Sequence, residues 1–119
     1  MDHNPVAIHL SQLPARDPVA ALATAGGDPD LAAELFAALL AGLAGELAAL
    51  RAAIAAADWD ALAEQAHQVR GATRYCGVPA LDEATETLER AARAGDPQRI
   101  ADSFANLEDE AERVRQSAT

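Results

Sequence analysis

Three times in this chain an aspartate is followed at once by a proline, at Asp17-Pro18, Asp28-Pro29 and Asp96-Pro97. An aspartate side chain accepts hydrogen bonds from the free N–H groups of a helix's first turn. Proline suits the first helical position, where its missing N–H forfeits no bond. Each pair therefore marks a helix start. From Asp28 to Ala57, Leu31, Leu35, Leu39, Leu43, Leu47, Leu50 and Ile54 recur at spacings of three and four, which predicts one long helix with a single apolar stripe. Asp58 caps the next helix, whose stripe is Trp59, Leu62, Ala66, Val69, Thr73 and Cys76, with Gly77 as its stop. Pro79 opens another, with Leu81, Ala84, Leu88 and Ala91 on one side and an end near Gly95. Asp96-Pro97 starts the last, which buries Ile100, Phe104, Leu107, Ala111 and Val114 and leaves Glu108, Asp109, Glu110, Glu112 and Arg113 largely outside.

Long amphipathic helices joined by connections of a few residues pack as antiparallel neighbours. The expected fold is all-α, an antiparallel up-down-up-down four-helix bundle with a short additional N-terminal helix, Pro18 to Thr24, lying across one end. At 119 residues the chain has room for one such domain, placed at 15–119. Residues 1–14 lack periodicity, contain two prolines and read as a tail or linker. Only four residues are aromatic, so the core must be built mainly from alanine and leucine.

A net charge of −10 opposes binding to nucleic acid or an anionic membrane. The longest uncharged apolar run, Leu35 to Gly45, is short of the roughly 20 residues that span a bilayer, and no signal peptide is read at the N-terminus. The single cysteine, Cys76, fits a reducing compartment, so the expected location is cytoplasmic.

Taking about 100° per residue, His67 points roughly 130° from the centre of its helix's apolar stripe, toward solvent. Gly71 lies almost opposite the core, Glu64 beside it, and Arg70 and Arg74 on the flank nearer the bundle. Neutral imidazole is a nucleophile near pH 7 and forms a phosphoramidate. Arg70, one turn along, can bring positive charge to phosphoryl oxygens. Glycine costs about 1 kcal/mol in a helix interior, so Gly71 calls for an explanation, and clearance for a partner's loop supplies one. Tyr75 and Cys76 read as packing at the helix end.

The run Ala66-His67-Gln68-Val69-Arg70-Gly71-Ala72, followed by Tyr75-Cys76-Gly77-Val78-Pro79 and Leu81, resembles the signature of histidine phosphotransfer (HPt) domains. It is most similar to the C-terminal HPt domain of BarA/GacS-type hybrid sensor histidine kinases. Ala25 to Ala32 and the leucines after them resemble the start of the first bundle helix in those proteins, and the likeness covers roughly residues 15 to 117. The resemblance implies that His67 is the phosphorylated residue, Arg70 the phosphoryl-supporting cation and Gly71 the docking clearance, with Glu64 and Arg74 at the partner surface. Some relatives carry a glutamine on the neighbouring helix that bonds to the histidine. The matching residue here is Glu89, which cannot donate a hydrogen bond when ionised, so Glu89 is left outside the expected site.

The function implied is that of a phosphocarrier in a two-component phosphorelay, taking a phosphoryl group from a receiver-domain aspartate and passing it to the aspartate of a response regulator. No GxxxxGK[ST] phosphate cradle or ATP-site signature is present, so no kinase activity of its own is expected. No cofactor is expected on this chain, which is expected to be a monomer; the partner receiver would carry Mg²⁺. Two other readings compete. Glu64-Gln65-Ala66-His67 has the Glu-x-x-His form used by di-iron bundles, but that class needs two such motifs and inward-facing carboxylates, and His3 and His9 in the tail offer no regular ligand spacing. A non-catalytic helical interaction module would share the core and acidic surface, and differs only at His67.

Overall fold

A computed structural model describes residues 13–118, and these form five helices: α1 (Pro18–Thr24), α2 (Pro29–Ala55), α3 (Trp59–Thr73), α4 (Pro79–Ala94) and α5 (Pro97–Ser117). Four of the starts are capped by the aspartates that the sequence marks. Asp17 accepts from the Ala20 N–H at 3.0 Å, Asp28 from those of Asp30 and Leu31, Asp58 from Ala61, and Asp96 from Gln98 and Arg99. Each such cap is worth about 1 kcal/mol. The start of α4 has Pro79 in its first turn but no side-chain cap on Val78.

Helices α2 to α5 form an antiparallel bundle in which each packs on the next and α5 closes back on α2. The core runs along the axis: Leu43, Leu47 and Leu50 of α2, Leu62, Ala66 and Val69 of α3, Leu81, Ala84 and Leu88 of α4, and Ile100, Leu107 and Val114 of α5. Helix α2 is long and apolar enough, by length and composition, to cross a membrane. Its leucine row, however, is packed into this core from Leu39 to Leu50. The first leucine of the expected stripe, Leu31, is 40% exposed. Phe36, one residue off the row, is buried instead and carries the Arg16 guanidinium 3.9 Å above its ring.

The chain entering the domain is fastened across the end where α3 turns into α4. The Asp17 N–H donates to the Gly77 carbonyl at 2.7 Å, and Thr24 Oγ1 to the Tyr75 carbonyl at 3.0 Å. Helix α1 thus covers that end, as its sequence position suggests. The expected tail lies outside the described residues except for Leu13 and Pro14. Their carbonyls accept from Arg113 and from the Ala80 N–H.

Two expectations are corrected by tertiary contacts. Helix α3 ends at Thr73 rather than Cys76, and residues 74–77 form a turn closed by short-range bonds such as Tyr75 N–H to the Ala72 carbonyl. Gly77 has the positive φ expected of a helix stop, +66°, but close approach constrains it as well: a Cβ there would stand 2.5 Å from the Asp17 carbonyl oxygen. Glu110, expected among the outward residues of α5, is buried. Its carboxylate accepts from Arg113 at 2.6 Å, and the same guanidinium holds the Leu13 carbonyl, so the fastened N-terminal segment helps to cover it.

Candidate functional site

His67 sits in the middle third of α3 with its side chain 65% exposed, on the outer face as the helical arithmetic requires. Gly71, one turn further on, has nothing within 4 Å of where a Cβ would stand. The surface beyond it is a shallow apolar groove of about 370 Å³, lined by Leu35, Ala38 and Leu39 of α2 and by Gly71, Ala72, Tyr75 and Cys76. Cys76 is buried at the groove floor, where desolvation pushes its thiol above the ordinary range. Tyr75 is 51% exposed, so the helix end buries only one of the two residues expected to pack there.

The charged residues of α3 meet a row of carboxylates on α4. Asp82, Glu86 and Glu89 follow one another at spacings of four and three, which places them along one flank of that helix. Arg70, expected on the flank nearer the bundle, lies in the seam between the helices, with its side chain only 18% exposed. Its Nε stands 3.4 Å from Asp82 Oδ1, and one terminal nitrogen is 3.9 Å from Glu86 Oε2. Asp82 Oδ1 also accepts from the buried Thr73 hydroxyl at 2.7 Å, which fixes it as the anchor of the seam. Desolvation is the largest influence on the Arg70 guanidinium and weakens its charge. The Asp82 hydrogen bond and the negative charges of Asp82, Glu86 and Glu89 together outweigh it, so Arg70 is held above its ordinary range. Glu86 is held below the usual carboxylate range, chiefly by its hydrogen bond from Arg90. Arg74 is exposed and borders a smaller cleft with Asp17, Thr24, Thr73 and Asp82, while Glu64 is exposed one turn before His67.

Glu89, which the sequence reading leaves out of the site, stands against the histidine: its Oε2 is 3.3 Å from His67 Nδ1. The same oxygen accepts from Arg93 Nε at 3.2 Å and from a terminal Arg93 nitrogen at 2.9 Å, and the carboxylate is only 13% exposed. The sequence argument asked whether residue 89 could donate to the ring, which an ionised glutamate cannot. The geometry uses it the other way, as a possible acceptor for a proton on Nδ1. The spacing of Glu89 and Arg93 at i and i+4 is visible in the sequence, but nothing local says that this pair faces α3.

An exposed histidine, an empty turn beside it and an apolar groove leading away describe a surface built to be approached. Compared with known proteins, a model of the Hpt domain family matches residues 34–117. The chain belongs to the Hpt family. Hpt domains are phosphotransfer modules, and the all-helical bundle described above is their fold. The Hpt domain described here is 44% identical over 88 residues to a sensor histidine kinase, GacS, of Pseudomonas protegens, a match covering 74% of this chain and 9% of that protein. It is 48% identical over 68 residues to the sensor protein GacS of Pseudomonas syringae pv. syringae, covering 57% of this chain and 8% of that protein. The chain thus spans less than a tenth of the length of these curated relatives. No solved structure gives a significant match.

Proposed function

We propose that this Hpt domain carries phosphoryl groups on His67, accepting them from the aspartyl phosphate of a receiver domain and passing them to the aspartate of a response regulator. The observation that carries the reading is the exposure of His67 on the outer face of α3 beside the open turn at Gly71. In transfer, a ring nitrogen attacks phosphorus, the bond from phosphorus to the donor aspartate breaks, and a carboxylate leaves. Little further covalent work is needed of the carrier, because such reactions are governed by positioning and by charge, with Mg²⁺ expected on the receiver. The chain itself would have no kinase activity.

Arg70 supports the phosphoryl oxygens in this reading. Because its Nε side faces Asp82, its terminal nitrogens are the ones available to turn toward a new anion, at the expense of the longer contact to Glu86. Gly71 and the groove beside it give a receiver room to approach, and Glu64 and Arg74 border the surface it would cover. The relatives are sensor kinases, so a receiver domain within such a kinase is the natural donor. The domain itself would work on the cytoplasmic side as a monomer, either alone or as part of a longer kinase.

The test is incubation with a phosphorylated receiver domain, following label onto this chain. The label should appear on His67, be lost in acid and survive alkali, as a phosphoramidate does. An acid-stable label, or full labelling of His67→Gln, overturns the assignment.

A further inference from the structure

Two side chains of α3 meet on one carboxylate oxygen of α4. Asp82 Oδ1 accepts from the Thr73 hydroxyl at 2.7 Å and from Arg70 Nε at 3.4 Å, and Thr73 is only 1% exposed. We propose that Asp82 is a positioning residue for Arg70: it holds the guanidinium by Nε and leaves the terminal nitrogens to meet the phosphoryl oxygens at His67. This rests on the reading of His67 as the phosphoryl acceptor and of Arg70 as the cation that supports it.

An arginine side chain gives up rotamer freedom when it meets an anion, and one that is already held gives up less. The hold on Arg70 is firm at its base. A buried hydroxyl needs an acceptor, and the one that Thr73 finds across the seam is Asp82, so the carboxylate is fixed from the core side. Asp82 stands in the first turn of α4, where the helix dipole favours a negative charge, and Arg70 in the last turn of α3, where it favours a positive one.

The second contact of Arg70 is loose by comparison. A terminal nitrogen lies 3.9 Å from Glu86 Oε2, beyond hydrogen-bond length, and Glu86 has a closer partner in Arg90 at 2.9 Å. A phosphoryl group on His67, one turn before Arg70 on the same helix, therefore competes with the loose contact and not with the anchor. The other two cations of this flank, Arg90 and Arg93, are each held at 2.9 Å by a carboxylate of their own helix. In transfer the ring nitrogen's electron pair forms the bond to phosphorus and the donor departs with the pair of the bond that breaks. The outer phosphoryl oxygens stay charged throughout, and a guanidinium already in place meets them without reorganising.

The experiment uses the full chain labelled with ¹⁵N, as wild type, Asp82→Ala, Asp82→Asn, Thr73→Val, Arg70→Ala and Arg70→Ala with Asp82→Ala. Both contacts fall on one oxygen, so the amide oxygen of Asp82→Asn can keep them. Arginine side-chain spectra read the anchor without any phosphorylation. The Arg70 Nε–H signal, identified by its loss in Arg70→Ala, should exchange slowly with water in the wild type and in Asp82→Asn, and lose that protection in Asp82→Ala. The rate of His67 phosphorylation by phosphoramidate, from which ammonia departs and which needs no docked partner, is then followed by ³¹P NMR. Asp82→Ala should slow it by about three- to tenfold, between the effect of an exposed ion pair and that of a charge-assisted hydrogen bond. Asp82→Asn should recover most of that loss. Thr73→Val, which removes the hydroxyl that fixes Asp82, should move both readouts in the same direction by less, and keeps the test decisive if Asp82→Ala does not fold. The double variant should be no slower than Arg70→Ala, which assigns the effect of Asp82 to Arg70. An unprotected Arg70 Nε–H in the wild type overturns the inference. So does an Asp82→Ala protein that reacts as fast as the wild type or faster, an Asp82→Asn no better than Asp82→Ala, or a double variant in which the two single losses multiply. If the wild type takes no phosphoryl group, or Arg70→Ala takes it as fast as the wild type, the functional reading falls, while the Nε–H exchange still decides whether Asp82 holds the guanidinium.

Discussion

Two glycines six residues apart, Gly71 and Gly77, should respond to the same substitution with opposite signs. At Gly71 a new methyl meets open space, and the residue lies within α3. Gly71→Ala should therefore stabilise the domain by about 0.5 to 1 kcal/mol through helix propensity and a less flexible unfolded chain. At Gly77 the φ of +66° costs a side-chain-bearing residue about 1 to 2 kcal/mol, part of which is offset by the unfolded-state gain of about 0.4 to 1 kcal/mol. The larger cost is steric. The methyl would stand 2.5 Å from the Asp17 carbonyl oxygen and 2.8 Å from Ala21 Cβ, so the segment that leads into α1 must move. Moving it strains the bond from the Asp17 N–H to the Gly77 carbonyl, worth about 1 kcal/mol, and overpacking adds about 1 to 3 kcal/mol. The sum is a loss of about 2 to 5 kcal/mol. In urea, at a slope of about 2 kcal/mol per molar, Gly77→Ala should lower the unfolding midpoint by about 1 to 3 M, while Gly71→Ala raises it slightly. Equal shifts of the same sign, or a Gly77→Ala midpoint within error of the wild type, would refute the claim that the α3–α4 turn needs a glycine for the approach of α1.

Further outcomes follow from the same contacts. His67→Gln should abolish phosphoryl acceptance while changing stability by less than about 0.5 kcal/mol, checked by labelling and by urea unfolding of one preparation. Gly71→Gln should slow transfer from a receiver domain more than it slows chemical phosphorylation by phosphoramidate, because only the first needs a docked partner; equal losses in a folded protein would remove Gly71 from the docking surface. Ala57 has a φ of +53° in the turn after α2, so Ala57→Gly should be neutral to stabilising by about 1 kcal/mol in thermal unfolding, where most alanine-to-glycine changes destabilise. Glu110→Ala should cost about 1 to 3 kcal/mol, because it leaves the Arg113 guanidinium without its 2.6 Å partner beneath the N-terminal segment, and thermal unfolding checks it.

What the sequence determined by itself was whatever the chain settles within a few residues of each position. The aspartate caps, the proline starts, the left-handed glycine at Gly95 and the leucine and alanine stripes are local matters, and they sufficed for the number of helices among the described residues, their order and the up-down-up-down arrangement. The outward direction of His67 was legible for the same reason, since a regular helix fixes the angle between a residue and its own apolar stripe. The tertiary structure decided everything that depends on the rotation of one helix against another. Periodicity says that Glu89 and Arg93 share a face, but only the packing of α4 on α3 turns Glu89 onto His67 Nδ1 and draws Arg70 into the seam with Asp82. The burial of Glu110 under Arg113, the seating of Arg16 over Phe36 and the crowding at Gly77 likewise arise where the incoming segment crosses the bundle end. Arg113 and Leu13, Arg16 and Phe36, and Gly77 and Asp17 are far apart in the chain, and side chains on adjoining helices can be paired only once the azimuth of each helix is fixed by the core as a whole.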